Sequence, residues 1–199
     1  MSKNSGKTKR LVGMSIFTAL VVVLTVIATF VKFGPFSITL ALAPIVVGAA
    51  VYGPKSGAWL GGVFGFVVLL MCIFGADVGG AILWNVNPFA TAVLCIVKGA
   101  AAGWAAGLVY HALSKKSVTL GVVLAAVCSP IVNTGIFCLA MATLYQATLA
   151  EWAAAAGSNV VSFVFLGLIG VNFLVELLVN VVLTPVIARI VKVGRKEIA

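Results

Sequence analysis

The stretch NPFATAVLCIVKGAAAGWAAGLVYHAL, residues 87–113, decides how this chain folds. A membrane-spanning helix needs about 20 mostly apolar residues at ~1.5 Å rise each. Residues 89–111 meet that length with one interruption, Lys98. An ammonium at mid-depth in hydrocarbon costs roughly 3 kcal/mol or more unless it faces protein, water or a partner. Directly after it come Gly99, Gly103 and Gly107, four residues apart and therefore on one helix face. Such a ladder leaves a flat groove into which a second helix packs closely. The stretch predicts a helix buried among others and presenting a cation to something.

The sequence on either side repeats the apolar pattern. Of the 199 residues, 63% are hydrophobic and 9% charged, against about 25% charged in a soluble domain. The chain reads as an all-α integral membrane protein with six transmembrane helices, at residues 11–31, 38–52, 58–74, 89–111, 118–145 and 160–191. The first run is longer than a signal-peptide core and has no clean cleavage site after it, so it reads as retained. The second is short and interrupted by Pro44; the third carries Gly57, Gly61 and Gly65. Residues 1–10 form a basic cytoplasmic N-terminus, 11–191 a single membrane domain and 192–199 a cytoplasmic tail.

Charge fixes the orientation. With six spans, one side holds Lys3, Lys7, Lys9, Arg10, Lys55, Lys115, Lys116, Arg189, Lys192, Arg195 and Lys196, and the other only Lys32. The positive-inside rule places both termini in the cytoplasm. The net charge of +9 is thus a membrane-topology signal and not a nucleic-acid footprint. The outward gaps at 32–37, 75–88 and 146–159 hold Phe33, Phe36, Asp77, Trp84, Asn85, Asn87 and Trp152. Rings and amides of this kind suit a small-molecule pocket; an interfacial aromatic belt suits Trp152 better.

Inside the spans lie Lys98, Asn133, Asn172, Glu176 and Asn180. The last three recur every four residues, on one helix face. Two readings are open. Either part of the set lines a solute pocket open to the outside, with Lys98 holding an anionic group and the asparagines bonding hydroxyls or amides. Or Lys98 and Glu176 form an ion pair that only fixes helix packing.

Several chemistries are excluded. Cys72, Cys95, Cys128 and Cys138 lie in apolar runs without C-x-x-C spacing, which leaves no zinc or disulfide framework and favours inert thiols. The run GAAVYGPKS, residues 48–56, imitates a phosphate-binding loop, but Pro54 precedes Lys55 and has no N–H to offer a phosphate. Ser56 and the single histidine, His111, have no aspartate on their side to complete a triad. One histidine also cannot build an H-E-x-x-H site. No cofactor, metal or catalytic set is expected, so the protein does not read as an enzyme.

Three runs taken together, FGPFSITLALAPIVVGAAVYGPKSGAWLGGVFGFVVLL, then NPFATAVLCIVKGAAAGWAAGLVYHAL, then SPIVNTGIFCLAMATLY, resemble the substrate-binding S components of energy-coupling-factor (ECF) vitamin transporters. The resemblance covers residues 11–191, and size, six spans and inside termini agree with it. It implies a multi-pass protein of the bacterial plasma membrane that binds a vitamin at its outer face. It also implies docking on a transmembrane coupling protein with two cytoplasmic ATPases, whose ATP hydrolysis topples the S component and releases solute inward. Family members dock through small residues four apart on the first helix; Ser15 and Ala19 occupy that place, serine replacing one alanine.

The sequence looks most similar to pantothenate-specific members, with riboflavin, folate or another small metabolite as alternatives. The expected substrate contacts are Lys98, Asn133, Asn85, Asn87, Trp84, Asn172, Glu176 and Phe36. Of other classes, a stand-alone carrier would show an inverted repeat between halves, which is not evident, and a membrane enzyme would need the missing catalytic set.

Overall fold

The structure is a computed structural model that describes residues 3–28, 30, 32–33, 36–37 and 40–198, with side chains for 6–28, 30, 40–167 and 173–194. Among the described residues, five helices are long and apolar enough to cross a bilayer alone. They are α1 (Lys3–Ala28), α3 (Pro54–Ile73), α5 (Pro88–Leu113), α6 (Val118–Thr143) and α9 (Val171–Ile198). Between them lie α2 (Leu42–Tyr52), α4 (Val78–Val86), α7 (Gln146–Ala155) and α8 (Val160–Phe163). A π-helical stretch, Val164–Gly170, joins α8 to α9.

The expected second span is the short α2. Its 11 residues reach about 16 Å, half of a ~30 Å hydrocarbon core. It lies buried along most of its length instead of facing lipid. Pro44 does not interrupt it, because the ring falls in the first turn, where no intrahelical N–H is needed. Gly53, at φ 99°, turns the chain straight into α3, which starts at Pro54. That backbone region penalises any β-carbon, so glycine is required at this one-residue corner.

The outward gaps are more structured than loops. Residues Lys32–Phe33 (β1) pair antiparallel with Phe36–Ser37 (β2). The second gap contains α4, capped by Asp77, whose Oδ1 accepts from the Gly80 N–H at 2.7 Å. The third contains α7, which meets α8 and the π-helical stretch at a bend of 89°. The basic tails continue the helices: α1 starts at Lys3 and α9 runs to Ile198.

The α3–α5 contact is the tightest seam. A β-carbon at Gly57, Gly61 or Gly65 would collide with the backbone of Gly103, Gly99 or Cys95 respectively. The two glycine ladders therefore face each other, and α5 is buried as its sequence predicts. Gly107 extends the seam to Pro54. Around this pair, Val46 and Ala50 of α2, Tyr110 of α5, Val122 and Ala126 of α6, and Ile187 and Val191 of α9 form one core at the basic end.

Candidate functional site

At the end opposite that core the interior turns polar. On α6 the core positions Val122 and Ala126 continue outward as Ser129 and Asn133, on the same helical stripe. On α9 the stripe of Val191 and Ile187 continues as Thr184, Asn180 and Glu176. Ser129 (0% exposed), Asn133 (5%), Asn180 (1%) and Glu176 (5%) are all buried. The start of α6 packs against the end of α9 in that core, so the two helices run antiparallel and their polar stripes lie at facing heights in the outer half of the bundle.

Part of the stripes is self-satisfied. Asn180 donates Nδ2 to the Glu176 carbonyl at 2.8 Å, and Thr184 donates to the Asn180 carbonyl at 3.0 Å. Three buried acceptors have no hydrogen-bond partner among the described residues: Ser129 Oγ, Asn133 Oδ1 and Asn180 Oδ1. Pro130, inside α6, also has no N–H for the Ala126 carbonyl. Each buried polar group left unmade costs about 1–3 kcal/mol. Just before the α9 stripe comes the π-helical stretch, a geometry that recurs at functional sites.

Lys98 lies on α5 at matching depth. It is ten residues from Pro88, and Asn133 is ten from Thr143, so each sits ~15 Å from the outer end of its helix. Its Nζ stands 5.2 Å from the centroid of the Phe137 ring, one turn from Asn133 on α6. A cation over an aromatic face gains about 0.5–2 kcal/mol. Lys98 also lines a cavity of about 30 Å³ with Asp77, Thr91, Cys72, Cys95 and Phe137, enough for one water. The carboxylate sharing this cavity is Asp77, at the α4 cap, and not Glu176. Cys72 and Cys95, expected as inert thiols in separate runs, meet in one buried cluster beneath Trp84.

The other expected residues sit apart. Asn85 is exposed and donates to the Ala81 carbonyl at 2.9 Å. Asn87 is exposed and caps α5, accepting from the Ala90 N–H at 3.0 Å. Both lie at the outer rim, more than ~15 Å along the chain path from Lys98. The side chains of Phe36 and Asn172 lie outside the described residues. Ser15 and Ala19 are exposed on α1, and Ser15 bonds back to the Leu11 carbonyl at 3.0 Å.

Sequence reasoning passed over Ser129, Phe137, Thr91 and Tyr145. The Thr91 and Tyr145 hydroxyls are 2.7 Å apart, and Tyr145 donates to the Asn87 carbonyl at 3.3 Å. This latch ties the start of α7 to the start of α5. Only the serine four residues before Asn133 could have been found in the sequence, from helical periodicity.

Fold and site define a multi-pass helical membrane protein with buried polar side chains concentrated in one half of its bundle. The family model for the ECF transporter, substrate-specific component, matches residues 9–188, and the chain belongs to that family. Comparison with individually curated proteins gives no match. The protein is therefore a substrate-binding transporter subunit and not an enzyme. It works in the membrane with a coupling protein and ATPases.

Proposed function

We propose that this subunit binds a water-soluble vitamin, pantothenate, in the outer half of its bundle in a bacterial plasma membrane. Partner ATPases then topple it to release the vitamin inward. The carrying observation is one cation, Lys98, at the depth of Asn133, with three buried acceptors on α6 and α9 that have no hydrogen-bond partner among the described residues. Pantothenate offers one carboxylate, two hydroxyls and one amide N–H, so its anion suits Lys98 and its three donors suit the acceptors. Asn133, Asn180 and Ser129 would take the donors, with Glu176 and Asn172 orienting the stripes. Trp84, Phe36, Asn85 and Asn87 would form the rim. A ligand pocket needs about 300 Å³ or more, so α4 has to move aside before Lys98 is reached through its 30 Å³ cavity. Ser15 and Ala19, exposed on α1, suit the coupling protein.

The test is mass spectrometry of small molecules released on denaturing the purified protein, followed by calorimetric titration of a vitamin panel without ATP. Stoichiometric pantothenate supports the reading. A different vitamin would replace the substrate, and binding of none would remove the solute-binding role.

A further inference from the structure

The basic end carries a second cavity, of about 420 Å³, between α1 and the start of α3. Lys7, Arg10, Lys55 and Ser56 give it polar and charged lining, and Leu11, Met14 and Trp59 give it an apolar floor. Lys7, Lys55 and Arg10 are exposed, and Trp59 is 62% exposed. The polar lining is partly pre-set. Arg10 donates to Ser56 Oγ at 3.1 Å and to the Tyr52 carbonyl at 3.4 Å. These bonds hold the guanidinium while leaving other N–H donors of its planar fork to face the cavity. Further along, Trp59, Phe66, Leu70 and Ile73 are all exposed at intervals that keep them near one side of α3. Charge at the cavity grades into apolar surface along the helix, over a distance of about 20 Å from Trp59 to Ile73.

We propose that this cavity binds the headgroup of an anionic phospholipid of the cytoplasmic leaflet, with its acyl chain along the exposed α3 stripe. The phosphodiester would take the Arg10 fork and the two lysines, the geometry that guanidinium groups satisfy best. Trp59 would lie at the headgroup boundary, where indole rings concentrate. A soluble phosphate would satisfy the polar lining alone; the apolar floor and stripe are what a lipid adds. The inference rests on the basic end facing the cytoplasm. It is independent of the vitamin, whose proposed site lies at the other end.

The experiment is native mass spectrometry of the protein in neutral detergent micelles, titrated with phosphatidylglycerol, phosphatidylcholine or glycerol 3-phosphate. The wild type should retain one phosphatidylglycerol in preference to phosphatidylcholine. Lys7→Gln with Lys55→Gln, both exposed, should weaken that binding roughly 10–30-fold. Lys115→Gln with Lys116→Gln removes the same charge from the same membrane face and should leave binding unchanged. Equal loss in both pairs would reduce the effect to general surface charge and overturn the proposal. So would undiminished binding by the Lys7/Lys55 pair, or equal saturation by glycerol 3-phosphate.

Discussion

The two halves of the bundle are built on opposite terms. The α3–α5 half is stitched by facing glycines, with backbone against backbone and no space for a single added carbon. The α6–α9 half keeps buried asparagines, a serine and a glutamate, follows a π-helical stretch and contains prolines in both helices. Three of its acceptors are without hydrogen-bond partners among the described residues. The difference separates two tasks. One half holds α5 still, so that Lys98 is presented from a rigid support. The other half leaves buried polar groups without partners, which on the proposed reading a ligand supplies.

The largest expected effect would break the rigid half. Gly61→Leu places a side chain against the Gly99 backbone, whereas Gly62→Leu, one residue on, meets open space. Because backbone cannot yield as a side chain does, the first should cost about 3 kcal/mol or more. Size-exclusion chromatography and thermal unfolding in detergent should show an aggregated or strongly destabilised Gly61→Leu protein beside a near-normal Gly62→Leu one. Equal behaviour of the two would mean that the glycine seam is not the tight contact described.

The next effect isolates the cation. Lys98→Met keeps length and apolar bulk while removing charge, so an anionic vitamin should bind roughly 10–150-fold more weakly, at about 1.5–3 kcal/mol for a charge-assisted bond. Thermal stability should change little, because Lys98 is half-buried against Phe137 and not the centre of a packing cluster. A large loss of stability with unchanged affinity would return Lys98 to the packing role.

A smaller effect sharpens the comparison through its sign. Ser129→Ala removes an unpaired buried hydroxyl from the α6 stripe. It should raise the stability of the ligand-free protein by about 1 kcal/mol and lower vitamin affinity several-fold. Opposite signs mark a group reserved for ligand. A loss in stability would show that the hydroxyl is already satisfied in the folded protein.

The sequence made the rigid half legible. Gly57, Gly61 and Gly65 on one run and Gly99, Gly103 and Gly107 on another already predict close helix contact; only their pairing needed the structure. The apolar runs marked the order of the long helices. What stayed hidden has physical causes. A short, buried helix such as α2 has the same apolar composition as a thin span. Asp77 and Asn87 look like polar contacts for a solute, yet both side chains cap helices, which a single sequence does not reveal. The sequence offered Glu176 as a partner for Lys98 because both are ions in apolar runs; it could not show the Phe137 ring near Lys98 or the cavity Lys98 shares with Asp77, which tertiary packing creates. Ser129 is an ordinary residue until its neighbours leave it unpaired.

The central claim is that Lys98 holds the carboxylate of the transported vitamin. The direct measurement is the affinity of wild type and Lys98→Met for pantothenate and for pantothenol, its alcohol analogue, by calorimetry in detergent. The account predicts that wild type prefers pantothenate by roughly 10-fold or more, and that this preference disappears in Lys98→Met. An unchanged preference in the mutant would contradict it, and would place the carboxylate elsewhere in the bundle.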